Sequence, residues 1–147
     1  MTALAGDHIV VKMVDNGSTE RTISDGDINS VDLGMTYTQH DVTGFGDGAK
    51  NFINGQLDTP VTVKGFLTTT ALVGTHTVLN PLFQNGTSTT LTVQVGQNAT
   101  PTTGDPEYSG SFIVESYKPT IETGGAIAFE AVLKPASGTA PSWGTVS

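Results

Sequence analysis

Apolar and polar residues alternate one for one along several stretches of this chain, and a period of two suits extended strands. From Val31 the series Val31, Leu33, Met35 and Tyr37 opposes Asp32, Gly34, Thr36 and Thr38, and Leu91, Val93 and Val95 repeat the pattern. A helix would scatter such positions around its circumference, whereas a strand puts each set on one face. Threonine and valine, both β-branched and suited to a pleated surface, recur throughout. The pattern predicts a mostly β chain: an antiparallel β-sandwich with one short flanking helix, a long loop between two strands and extended terminal arms.

His8 to Asp15 reads as a strand ending at Asn16-Gly17, a pair that accepts the positive φ of a two-residue type I′ turn, and Glu20 to Ile23 returns. Asp25-Gly26-Asp27 then turns the chain into a strand expected to run from Val31 to Val42. Residues 43 to 56 hold four glycines and no period, so they predict a long loop, a feature that in compact domains is usually functional or mobile. Leu57 to Leu67, Thr89 to Val95, Tyr108 to Lys118 and Ala126 to Lys134 complete the expected strands. Thr75 to Phe83 is the helix candidate, with Thr75 as cap and Pro81 either near the first turn or at a kink. Residues 135 to 147 suit no regular element, yet they carry the only tryptophan, Trp143, which predicts that this arm docks on its own subunit or on another. The whole of 1–147 reads as one domain, with 1–7 as N-terminal arm and 135–147 as C-terminal arm.

The six basic residues are scattered singly among fourteen acids, giving a net charge of −8. No basic patch is available to neutralise phosphates, which argues against tight nucleic-acid binding. Only 14% of residues are charged, against about 25% in an average soluble domain. So few charges lower the cost of bringing copies together and suggest self-assembly, the plain alternative being a soluble β domain rich in threonine. There is no cysteine, which removes disulfides, thiolate metal sites and cysteine nucleophiles. No apolar run is long enough for a membrane span, and Met1 to Asp7 lacks the pattern of a signal peptide, so synthesis and assembly in a cytoplasm are expected.

Chemical motifs are weak. Asp25, Asp27 and Asn29 imitate the start of a calcium loop, but Ser30 stands where glycine is needed and Thr36 where a bidentate glutamate belongs. The Gly44 to Lys50 segment lacks the spacing of a phosphate cradle. His8, His40 and His76 have no metal-ligand spacing, and Asn16, Asn85 and Asn98 begin glycosylation-type triplets that a threonine-rich chain makes by chance. The residues thus nominate no catalytic group, no cofactor and no metal site, and enzymatic function has no support.

The order of features carries more. Asp41-Val-Thr-Gly-Phe-Gly-Asp47, the loop to Gly55-Gln-Leu-Asp58, Val61-Thr-Val-Lys-Gly65, a short helix, Gly110-Ser-Phe-Ile-Val-Glu-Ser-Tyr117, Ala126 to Leu133 and the terminal Trp143-Gly-Thr-Val146 together resemble the tail tube proteins of long-tailed bacteriophages with non-contractile tails. The resemblance spans about residues 8 to 146. It implies a structural virion protein whose hexameric rings stack around a tape-measure protein and meet tail-end proteins, forming a conduit through which double-stranded DNA passes without specific binding. It places the protein in the virion tail, and in the host cytoplasm before assembly. Alternatives are a head decoration or other minor virion protein and, from another class, a carbohydrate-binding β-sandwich module, which the 7% aromatic content disfavours.

Under that resemblance the long loop and the arms make contacts within and between rings. Phe45, Phe52 and Ile53 are its expected anchors, on a segment whose glycines predict order gained on assembly, and Trp143 anchors the C-terminal arm. Asp32, Asp41, Asp58, Glu115 and Glu130 are the candidate lumen acids, a wall that would repel phosphate rather than trap it.

Overall fold

The computed structural model describes residues 8–23, 25–96 and 100–147; the 1–7 arm and Asn98 lie outside the described residues. Strands β1 (His8–Val14) and β2 (Glu20–Ile23) form an antiparallel hairpin. Its turn is not the two-residue type I′ form expected at Asn16-Gly17. Asp15 N–H donates to the Thr19 carbonyl at 2.8 Å, so residues 16–18 form the loop, and the positive φ, 67°, falls on Ser18. The Asp15 side chain accounts for the change: Oδ1 accepts the N–H groups of Gly17 and Thr19, each at 2.9 Å, and Oδ2 accepts from Arg21 Nε at 2.8 Å. Those bonds, the one from Arg21 foremost, lower the pKa of Asp15.

A 3-10 turn at Asp25–Asp27 leads to β3 (Ile28–Leu33), β4 (Thr36–Asp41), β5 (Phe52–Asp58) and β6 (Val61–Phe66). The strand expected from Val31 to Val42 is therefore broken at Gly34-Met35, and the one from Leu57 to Leu67 at Thr59-Pro60. Pro60 has no N–H to give the ladder, and the Gly34 N–H to Pro60 carbonyl bond, 3.2 Å, bridges the two breaks. β3 pairs with β6 in the main sheet, while β4 and β5 form a separate two-stranded ribbon. The loop expected over 43 to 56 is accordingly shorter: its last residues belong to β5, and 42–51 connects the strands.

Helix α1 (Thr75–Asn85) closes on Gly86 in the left-handed conformation, φ 63°. Its N-cap is Gly74 rather than Thr75, and Pro81 lies inside it beyond the first turn. Thr75 is buried instead, its hydroxyl donating to the Phe66 carbonyl at 2.7 Å and accepting the Thr68 N–H at 3.0 Å, which ties the helix start to the end of β6. Then come β7 (Thr89–Gly96), β8 (Pro106–Thr120), β9 (Ala128–Pro135) and β10 (Ser142–Thr145). The last corrects the reading of 135–147 as wholly irregular, since β10 pairs with β8 and sets Trp143 opposite Tyr108.

The sheet runs β2-β1-β7-β8-β9-β6-β3, with β10 also on β8. The first half of β8 pairs with β7 and β10 and its second half with β9, and Phe112 stands opposite both Thr89 and Pro135. Two sub-sheets thus share one strand and enclose one core. Val11, Met13, Leu91, Val93 and Tyr108 enter it from one side, Val61, Val63, Phe129, Ala131 and Leu133 from the other, and Val78, Leu79 and Leu82 from α1. His76 Nδ1 lies 2.8 Å from the Tyr117 hydroxyl, joining α1 to β8, and burial pushes the Tyr117 phenol up to about 12.

Two outcomes follow from this packing. A Cβ on Gly65 would overlap the carbonyl oxygen of Asp27, which is backbone, whereas one on Gly138 would meet open space. Urea denaturation should show Gly65→Ala destabilised by about 2–3 kcal/mol and Gly138→Ala within about 0.5 kcal/mol of the parent. Tyr117 keeps its proton to higher pH folded than unfolded, so its contribution is intact below about pH 10 and is lost as pH rises from there through its folded pKa. Alkaline unfolding followed by circular dichroism should be less steep over that window in Tyr117→Phe.

Candidate assembly surfaces

β3, β6, β9 and the second half of β8 turn alternate side chains away from the core. Their outward rows read Asp32-Thr62-Val132-Ser116, then Ser30-Lys64-Glu130-Lys118. A bulge between Val114 and Ser116 brings Glu115 to the same side, where its Oε2 lies 3.9 Å from Lys134 Nζ, and Lys64 and Glu130 are also 3.9 Å apart. Asp32, Glu115 and Glu130 therefore share one face. Reading the sequence missed that Lys64, Lys118 and Lys134 share it too. The alternation of β6 puts Lys64 beside Thr62, but only cross-strand register sets it opposite Glu130. Both ion pairs are half-exposed, so each contributes under about 1 kcal/mol to stability. Among the described residues no strand pairs with the outer edge of β3, nor with the β7-side edge of β8 beyond Phe112.

The ribbon of β4 and β5 forms an arm that continues the β3-β6 pair past the bend at Gly34 and Pro60. Asp41 and Asp58 sit on this arm, apart from the other three acids. Thr43 shapes its connection: the hydroxyl and N–H of Thr43 donate to Asp41 Oδ1 at 2.6 and 2.9 Å, and Thr43 Oγ1 accepts the Asn51 N–H at 2.8 Å. The Thr43 hydroxyl is the main reason the Asp41 pKa is lowered. Gly44 N–H donates to Asp47 Oδ2 at 2.8 Å, so the loop is closed by its own polar groups. Its apolar side chains have no core to enter. Phe45 is fully exposed, and Phe52, on one face of the ribbon, and Ile53, on the other, are about half-exposed. A lone two-stranded ribbon is marginally stable in water, and this one leaves apolar groups exposed on both faces.

Trp143 docks on its own chain. It meets Tyr108 edge-on at 5.2 Å between ring centroids while remaining half-exposed. Gly110 makes the approach possible, because a Cβ there would lie 2.6 Å from Pro141 Cβ. Burial raises the Tyr108 pKa. Gly104 N–H to the Val146 carbonyl, 2.9 Å, and Val146 N–H to the Asp105 carbonyl, 2.8 Å, fasten the end of the arm. Among the described residues no group of three or more His, Asp or Glu side chains is placed to hold a metal ion. Two recesses of about 280 and 270 Å³, one beside Lys64, Lys118 and Glu130 and one between Leu57 and Pro141, gather no catalytic constellation.

No protein-family model and no curated protein matches the chain. Solved structures match its fold along nearly all its length. A chain from the tail of an empty gene transfer agent particle, refined with C6 symmetry, superposes with a TM-score of 0.71 at 16% identity, covering 99% of this chain and 100% of that one. A chain of the SPP1 tail tube gives 0.70 at 10% identity, covering 90% of this chain and 75% of that one. A chain from the extended sheath–tube complex of an extracellular contractile injection system gives 0.69 at 14% identity, covering 98% and 93%. The chain has the fold found in these tail and tube assemblies.

Trp143→Ala removes the edge-on contact and part of the cover over Tyr108. Stability should fall by about 1–2 kcal/mol, with the loss of hydrogen-exchange protection concentrated over Ser142–Thr145.

Proposed function

We propose that the protein is a structural tube subunit of a virion tail: copies close into hexameric rings, rings stack, and the bore conveys double-stranded DNA. The observation that carries this reading is a four-stranded sheet, β3-β6-β9-β8, with a polar outer face and, among the described residues, an edge on each side that no strand pairs. Setting the β3 edge of one copy beside the β8 edge of the next satisfies both rows of backbone groups, a head-to-tail contact that closes into a ring when the rotation permits. Six copies follow the symmetry of the gene transfer agent tail. Their four strands each, about 4.8 Å apart and tilted as barrels require, would enclose a circle about 45–50 Å across between backbones, which admits a duplex. The inner face of that sheet is occupied by the core, so the polar face is the one left for the bore.

The arm extends beyond the end of the sheet and so would reach out of its ring, where Phe45, Phe52 and Ile53 cover apolar surface of a neighbouring copy. Trp143, half-exposed at the sandwich margin, is a further contact. Asp32, Glu115 and Glu130 face the bore in this arrangement, while Asp41 and Asp58 go with the arm. Tape-measure and tail-end proteins complete the partners, and the role involves no catalytic step.

Electron microscopy of the concentrated protein should show tubes built of six-fold rings; protein that stays monomeric contradicts the reading. The double variant Phe52→Ser, Ile53→Ser should keep the circular dichroism and thermal midpoint of the monomer yet form no tubes. Tubes of normal length from that variant would contradict the role of the arm.

A further inference from the structure

Resting on that tube reading, we propose that the outward face of β3, β6, β9 and β8 is a charge-compensated sliding surface for a polyanion. In it Lys64, Lys118 and Lys134 meet passing phosphates, and Asp32, Glu115 and Glu130 are their fixed counter-charges. The chain is strongly acidic, with a net charge of −8, yet its outward rows on this sheet hold three lysines and three acids. Half of the six basic residues in the chain gather here, and the charges cancel within the face.

The order of the rows matters as much as the total. From the arm end, Lys134 with Glu115 comes first, then Asp32, then Lys64, Glu130 and Lys118, so the rows run neutral, negative, positive. Successive outward rows lie about 7 Å apart along a strand, inside a screening length of about 8 Å at physiological ionic strength. A phosphate beside one row therefore feels the next, and the fields offset each other over the path of travel. An all-lysine wall would release counterions from the duplex and hold it, and an all-acid wall would oppose its entry. Lys118 stands opposite Glu130 in register but makes no ion pair among the described residues, so its ammonium is available to a phosphate. The weak, half-exposed pairs at 3.9 Å can open and re-form as the polyanion passes.

The absence of cysteine permits a direct test. Ser116→Cys places one thiol on this face, and assembled tubes are treated with cationic and anionic methanethiosulfonate reagents of equal size. With the six charges intact, the ratio of the two rates should stay within about twofold of that for a free thiol. Adding Glu115→Gln and Glu130→Gln should shift it severalfold toward the anionic reagent, and adding Lys64→Gln and Lys118→Gln severalfold toward the cationic one. A preference of about tenfold or more for the cationic reagent with all six charges intact, or a ratio indifferent to both pairs of changes, overturns the compensated surface while leaving the tube reading standing. If the thiol reacts as fast with a reagent carried on a bead too large for the bore, the face lies outside the tube, and both readings fall together.

Discussion

A single strand, β8, serves three partners, and the rest of the architecture follows from that. Its first half needs β7 and β10, its second half β9, and Phe112 stands in rungs of both ladders. Because the buried side chains of both halves meet in one core, the chain cannot lie flat; the two sub-sheets must enclose Tyr108, Phe112, Val114 and the apolar stripe of α1 between them. The change of partner falls at Phe112, and the bulge after Val114, inside the β8–β9 ladder, keeps Val114 buried and leaves Glu115 facing outward beside Lys134. That irregularity thus sets a charge on the outer face of the sub-sheet that β8 enters at Phe112.

An enclosed core leaves the chain with backbone groups it cannot satisfy alone. The outer side of β3 and one side of β8 beyond Phe112 have no strand partner among the described residues, and the arm carries phenylalanine and isoleucine on opposite faces into solvent. Natural sheets usually blunt such edges with charge, proline or cover. Here each edge is interrupted, by a register shift between Ile28 and Ser30 in β3 and by another between Val114 and Ser116 with Pro119 beyond it in β8, but among the described residues neither is covered by another strand, which suits a subunit whose edges are paired by copies of itself. That demand also explains why so much of the surface is threonine rather than lysine and glutamate: a hydroxyl costs less to bury against a neighbour than an ion does.

Local pattern made part of this legible. Glu20 to Ile23, the β7 strand from Thr89 and the start of α1 were all readable from alternation, turn residues and the i, i+3, i+4 series. What escaped depends on partners distant in sequence. β5 begins with Phe52-Ile53-Asn54-Gly55, which has no alternation; it is a strand because β4 lies opposite, with His40 packed over Gly55. β10 is four residues long and exists through its pairing with the edge of β8. The turn after β1 was decided by the Asp15 side chain and not by Asn16-Gly17. Among the site residues, the exposure of Phe45, Phe52 and Ile53 could be anticipated from their glycine-rich setting. That three lysines share a face with three acids could not, since register across four strands has no signature in any one of them.

The central claim is that two strand edges unpaired in one chain become paired in the assembly. Amide hydrogen exchange, compared between monomer and assembled tube, tests this most directly. Outward-pointing amides of β3 and those of β8 beyond Phe112 should gain strong protection together on assembly, while those of β7, already flanked by β1 and β8, should change little. If tubes form and both edges keep exchanging as they do in the monomer, with protection gained only elsewhere, the continuous barrel is wrong.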